Sequence, residues 1–302
     1  MTDTVPHISV CICSYKRAES LSRLLSALSD QTTDGLFTYS VIVTDNDVYR
    51  SAEPVVTSYA SSAPVGVTYS LEPQQSIALA RNKAVQIAEG EFIAFIDDDE
   101  FPTTNWLLTL FEALHRYNAD GVLGPVKPYF KERPPDWVVK GQFYERQSYP
   151  TGFVIDGAKG RTGNVLLKKQ LFAVAGELPF RPHFRSGEDQ DFFTRMIDLG
   201  YKFIWCHEAE AFEIVPPLRW KRTFMIRRAL LRGSMAAFRR DFGSTEILKS
   251  VIAVPVYVLL LPFTLPLGQH RCMHIAIRLF DHLGKLLALF KINPVREPYV
   301  TQ

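Results

Sequence analysis

The chain of 302 residues is 47% hydrophobic and 22% charged, enough for one large core plus an appendage, or for two small domains. A net charge of +2 excludes a dedicated nucleic-acid binder, although most of the excess basic charge lies after Trp220. Cys11, Cys13, Cys206 and Cys272 show no CxxC or Cys/His ligand spacing and read as small core residues of a reducing compartment.

Met1-Thr2-Asp3-Thr4 runs into a strand without a charged-then-apolar leader, so no secretory signal is expected. Ile8–Ser14 is a β-type run broken by Tyr15-Lys16-Arg17. Over Ser20–Leu28, Leu21, Leu24, Leu25 and Leu28 recur at helical spacing. Strands at Tyr39–Thr44 and Val67–Leu71 end in Asp45-Asn46-Asp47 and Glu72-Pro73. Ser76–Ala88 predicts a helix with Ala80, Ala84, Ile87 and Ala88 inward, stopped by Gly90. Phe92–Ile96 then has the continuous apolar character of a strand buried on both faces. It runs straight into Asp97, Asp98, Asp99 and Glu100. Four acids at the end of a buried strand repel one another unless a cation lies between them. Alternate carboxylates there suit a hard divalent ion that grips a diphosphate, while a solvated acidic turn explains the same run.

The β-α-β-β-α-β order, with polar residues at strand ends, implies an α/β sheet with its site along the carboxyl edge. CSYKRAES after the first strand offers neither GxGxxG nor GxxxxGK[ST], so phosphate has to be held otherwise, and a metal at the acid cluster is the candidate. A helix over Trp106–Tyr117 and a strand over Asp120–Pro125 follow. Tyr129–Tyr149, rich in Pro, Trp and charge, reads as a long ordered loop. Arg161–Lys168 reads as a strand, with Gly163-Asn164 where backbone approaches something closely. After Arg185-Ser186-Gly187, the acids Glu188, Asp189 and Asp191 open a helix over Asp191–Leu199 that Gly200 closes, ahead of a strand at Tyr201–Cys206. Carboxylates in a first turn suit the helix dipole, so capping and catalysis both fit them.

Trp220–Arg240 mixes Lys221, Arg222, Arg227, Arg228, Arg232, Arg239 and Arg240 with apolar residues including Phe238, and no acid interrupts it before Asp241. Such a basic amphipathic helix suits an anionic membrane surface or a lipid diphosphate. Val251–Leu267 is uncharged and carries Pro255, Pro262 and Pro266, which leaves a crossing and a re-entrant or interfacial hairpin both open. Arg271, His274, Arg278, Asp281 and Lys285 form a polar stripe on a last helix.

These pieces resemble the family 2 inverting glycosyltransferases of the GT-A fold, from about Ile8 to Arg232. The resemblance rests on SVCICSYKR, VIVTDND, ALARNKAV, FIDDDE, RTGNVLL and GEDQDFFTRMIDLGYKF in that order. GPVKPYF, Pro135-Asp136-Trp137 and FEIVPPLRW look most like the bacterial exopolysaccharide glucosyltransferases of the succinoglycan type. The implied architecture is a mixed nucleotide-sugar-binding sheet flanked by helices over 1–218, with a nucleotide half to about 125 and an acceptor half from about 126. A helical, membrane-associating tail takes 219–302.

By resemblance, Ser14, Tyr15 and Arg17 frame the nucleotide base, Asp45 accepts the uracil N3–H, and Arg81 reaches the base or phosphates. Asp97 contacts the ribose side and Asp99 the Mg²⁺ or Mn²⁺. Asp98 falls in the nucleotide-sugar set, ambiguous like Glu100 between site and surface. Asp189 is the general base, with Asn164, Glu188 and Asp191 as acceptor or sugar contacts. The family's frequent His after the next strand is replaced by Glu213, a possible further metal ligand, with His207 slightly early. Pro216 stands where processive members carry Gln, so single addition is expected. The implied reaction moves a sugar, glucose favoured, from a UDP-sugar to a polyprenyl-diphosphate-linked saccharide. It occurs at the cytoplasmic face of the bacterial inner membrane, on a peripheral or monotopic enzyme with no nucleic-acid partner. A sugar-nucleotide nucleotidyltransferase and an inactive membrane scaffold of the same fold are the alternatives.

Overall fold

The computed structural model describes residues 5–184, 187–236, 242–292 and 295. The start at Met1–Thr4, Arg185-Ser186 ahead of the base helix, and Phe238, Arg239, Arg240 and Asp241 of the basic helix lie outside the described residues. The chain divides into two units, Met1–Pro128 with Arg146–Glu213, and Tyr129–Glu145 with Ile214–Gln302.

The first unit is built on a seven-stranded mixed sheet. Its strands are β1 (His7–Ser14), β2 (Thr38–Asp45), β3 (Val67–Leu71), β4 (Phe92–Phe95), β6 (Gly121–Leu123), β8 (Val165–Lys168) and β9 (Phe203–Trp205), in the order β3-β2-β1-β4-β8-β6-β9. All neighbours are parallel except β8, which runs antiparallel to both β4 and β6. One face packs on α1 (Ala18–Ser29), α2 (Glu53–Ala60) and α4 (Trp106–Arg116), through Leu21, Leu24, Leu25, Val56, Trp106 and Leu110. The other packs on α3 (Ile77–Ile87), α6 (Gln170–Ala175) and α7 (Glu188–Asp198), through Ala78, Ala84, Phe172, Phe192 and Phe193. Covering both faces explains why β1 and β4 read as nearly unbroken apolar runs. Ser76 caps α3 by accepting from the Leu79 amide at 3.5 Å. A second sheet of β5 (Glu100–Pro102), β10 (Ala211–Ile214) and β7 (Val126–Tyr129) stands in that order, with Glu213 paired to Glu100 in register.

The second unit holds α5 (Asp136–Gly141), α8 (Arg222–Ala236), α9 (Ser244–Thr264) and α10 (Gln269–Leu289), and α10 packs against each of the other three. Two expectations change here. The stretch expected as one loop over Tyr129–Tyr149 contains α5, whose six residues are too few for a helical stripe, and as far as Glu145 it belongs to this unit. The apolar segment from Val251 belongs to one 21-residue helix that starts earlier, at Ser244, and runs through Pro255 and Pro262 to Thr264.

Candidate active site

The carboxyl edge of the central strands places the acid run. The run leaves the strand through a turn, closed by the Glu100 amide donating to the Asp97 carbonyl at 3.0 Å. Asp98 and Glu100 are buried, while Asp97 and Asp99 are partly open. Asp98 faces the loop after β1. It accepts from the Ser14 hydroxyl at 2.9 Å, the Tyr15 amide at 3.4 Å and Arg17 Nη1 at 2.8 Å. Burial raises its pKa to about 6, against the pull of Arg17 and Ser14. Ser14 and Asp98 are therefore fixed inward by each other and not open to a nucleotide, because burial and these bonds use their polar atoms. Arg17 also reaches Asp99, Nη1 to Oδ2 at 3.0 Å, so it ties the loop to the outward acid. Tyr15 stays half-buried, with Lys16 Nζ 5.1 Å from its ring centroid.

Arg81, buried on α3, forms an ion pair with Glu188 at the start of α7, and its Nη2 lies 3.8 Å from Asp97 Oδ1. Asp97 keeps 45% of its side chain open. Glu188, expected at the acceptor, is buried in that pair. Burial raises its pKa, and Arg81 opposes the rise. Asp191 is held by Arg181 at 3.2 Å and Arg195 at 2.9 Å, so it braces α7 rather than reaching a sugar. Asp189, half-buried, accepts only from the Gln190 amide, at 2.8 Å, and forms no ion pair among the described residues.

Two further expected site residues are buried among hydrogen bonds. Asp45 has no exposed surface. Its oxygens accept from the Asp47 amide at 3.0 Å, the Ala52 amide at 2.7 Å and the Tyr69 hydroxyl at 3.3 Å, which closes the loop after β2. Asn164 is equally buried. It accepts from Trp106 Nε1 at 2.7 Å and donates to the Pro125 and Ala209 carbonyls at 2.8 Å each. With φ at 66°, it takes a left-handed conformation that Asn tolerates better than most residues. It knits strand ends together and does not face an acceptor.

Sequence reasoning missed Arg146, which pairs with Glu213 and lies 3.9 Å from Glu100 Oε1. It is far along the chain from both acids and sits in a stretch without periodicity, so no local signal marks it. Glu100 Oε1 is buried without a hydrogen-bond partner, and burial, then Asp97, push its pKa well above the carboxylate range. Gly163 closes the cluster. A Cβ there would stand 2.9 Å from Asp97 Oδ2 and 3.0 Å from Glu100 Oε1, so only glycine leaves those oxygens their space.

No group of three or more acidic, His or Cys side chains among the described residues forms a ready-made cation cage. The residues fit a different arrangement. Partly open Asp97 and Asp99 offer one or two carboxylates, and a diphosphate with water would complete the shell.

A mixed sheet with acids at the end of its central strand and a second carboxylate on a separate helix is the framework of a GT-A sugar transferase. The Glycosyl transferase family 2 profile matches residues 9–171, and the chain belongs to that family. It is 31% identical to the succinoglycan biosynthesis protein ExoM of Rhizobium meliloti, over 77% of this chain and 75% of the relative. It is 26% identical to the glycosyltransferase AglE of Haloferax volcanii, over 69% and 67% of the two chains. Among solved structures, the mannosyltransferase PcManGT of Pyrobaculum calidifontis, in complex with GDP-Man and Mn²⁺, superposes with a TM-score of 0.65. That match has 17% identity and covers 96% of this chain and 89% of the other. TarS 1-349 of S. aureus in complex with UDP gives 0.55 at 16% identity, over 96% and 93%. The GT-A fold is thus shared.

Proposed function

We propose that this glycosyltransferase moves a sugar, glucose favoured, from a UDP-sugar to a polyprenyl-diphosphate-linked saccharide, by single additions in exopolysaccharide or surface-polysaccharide synthesis. The succinoglycan relative supports the polysaccharide role, and solved structures in complex with UDP and GDP-Man support a nucleotide-sugar donor. The observation that carries the reading is the separation of roles among the acids. Asp97 and Asp99 stay partly open beside Arg17 and Arg81, and among the described residues Asp189 alone of the acids opening α7 has no ion pair.

In this reading Arg17 and Arg81 orient the diphosphate, with Tyr15 beside the base. Mg²⁺ or Mn²⁺ at Asp99, with Asp97 and Glu213 close by, supplies positive charge against the leaving diphosphate. Asp189 takes the proton from the acceptor hydroxyl. The freed oxygen attacks the anomeric carbon opposite the breaking bond, so an α-linked donor gives a β-glycoside. The enzyme works at the cytoplasmic face of the bacterial inner membrane, without a nucleic-acid partner.

The test is a panel of nucleotide sugars with the full chain, a membrane extract as acceptor, and NMR of the product anomer. Cation-dependent transfer from one UDP-sugar with inverted configuration is expected. Retained configuration would overturn the displacement. No transfer or donor hydrolysis with any sugar would leave a scaffold of the same fold.

A further inference from the structure

Among the described residues one helix, α9 with its following turn, is long and apolar enough to cross a membrane. Its most apolar stretch has a mean hydropathy of 2.1 and is 6% buried. Its 21 residues span about 31 Å, close to the ~30 Å of a hydrocarbon core, so length permits a crossing. What decides the matter is the company α9 keeps.

One stripe of α9 is packed on α10. The Ser250 hydroxyl meets His282 Nδ1 at 2.9 Å, and Lys285 Nζ lies 3.6 Å from Glu246. Residue numbers rise on one helix as they fall on the other, so α9 and α10 form an antiparallel hairpin, turned at Gly268 with φ at 105°. The remaining faces of α9, with Val251, Ile252, Val258, Leu259 and Phe263, are open and apolar. α10 has the same length and is not apolar. It exposes Arg271, His274 and Arg278 and carries Asp281 and Lys285. On its other side it is fastened to α8. A Cβ on Gly233 would stand 2.0 Å from the Asp281 carbonyl, one on Gly284 would stand 2.4 Å from that of Leu230, and Arg232 pairs with Asp281 at 2.7 Å.

A crossing α9 would draw this charged pair of helices into hydrocarbon with it. Arg278 stands near the middle of α10, where a charge in hydrocarbon is costly. Laid along the surface, the hairpin sinks its apolar faces about 5–10 Å while the arginines stay among lipid phosphates. We propose that α9 is a monotopic anchor, lying in one leaflet of an anionic membrane with both ends on the same side. This deepens the membrane reading above and rests on it.

The test uses the full chain in sealed inside-out inner-membrane vesicles, with lipid-free protein as reference. Thr245→Cys, Leu259→Cys and Gln269→Cys are each exposed to a membrane-impermeant maleimide, and labelled peptides are read by mass spectrometry. Both end positions should react as in free protein, while Leu259→Cys should be protected about tenfold or more, as burial below the headgroups requires. Protection of one end means a crossing, and protection of both means the wrong face; either overturns the proposal. A reactive Leu259→Cys on vesicles removes α9 as the anchor. If Leu259→Cys is already protected in lipid-free protein of doubled mass, a second copy covers the helix instead. Full-length protein that neither sediments with the vesicles nor binds liposomes of equimolar phosphatidylethanolamine and phosphatidylglycerol overturns the membrane reading itself. Sugar transfer measured in the same preparations keeps that failure distinct from failure of the catalytic reading.

Discussion

Replacing the acids of α7 one at a time separates catalysis from structure. Asp189→Asn removes a half-buried carboxylate whose one hydrogen bond is to the neighbouring Gln190 amide. Stability should change little, whereas loss of general-base assistance should lower turnover by about 10²–10⁴-fold. Glu188→Gln does the opposite. It leaves Arg81 buried with Asp97 at 3.8 Å as its nearest acid, and breaking a buried pair costs ~3–5 kcal/mol. Net stabilities of about 5–15 kcal/mol make that loss plain in a melting curve. Asp191→Asn breaks two partly exposed pairs, with Arg181 and Arg195, and should cost about 1 kcal/mol with turnover nearly intact. The assays are urea unfolding, single-turnover transfer, and calorimetric donor binding with cation present. Asp189→Asn should keep donor affinity because it touches neither phosphate. A large fall in turnover with binding preserved in Asp191→Asn alone would move the base. Loss of donor binding in all three variants would defeat the division between metal site and base.

Gly163→Ala places a methyl group against Asp97 Oδ2 and Glu100 Oε1, so calorimetry should show weaker cation-dependent nucleoside-diphosphate binding with little change in melting temperature. Asn164→Ala strands Trp106 Nε1 and two carbonyls in the core, and at ~1–3 kcal/mol for each orphaned group it should lower the urea midpoint sharply. Asp98 has a folded pKa of about 6 against an ordinary 3.8, so the stability from its protonation is complete below the lower value and lost as pH rises through the higher one. Asp98→Asn should therefore flatten the pH dependence of the urea midpoint between those values, and an unchanged slope would remove Asp98 as its source.

The fold was largely legible because its signals are local. The leucine stripe of α1 and the unbroken apolar runs of β1 and β4 follow from periodicity, and six short motifs in order carried the family. Some short elements were not legible. β5, β7, β10, α5 and α6 have three to six residues each, too few for a period to show, and packing rather than pattern forms them.

Residue roles failed where charge was read without direction. Asp45 and Asn164 were placed at the site by the family resemblance, yet a strand end is also where the chain must turn and satisfy its backbone. A short acceptor such as Asp45 closes that turn with the Asp47 and Ala52 amides before any ligand arrives. The acid run shows the same rule at work. Four consecutive carboxylates repel one another in a shared environment, and the turn from Asp97 to Glu100 sends them different ways. Asp98 turns in to Arg17 and Ser14, Glu100 turns in toward Arg146, and Asp97 and Asp99 stay partly open beside Arg81 and Arg17. Two of the four acids thus hold the loops that present the other two. The buried pair bears the desolvation that raises both its pKa values, and that arrangement fixes where the remaining negative charge points.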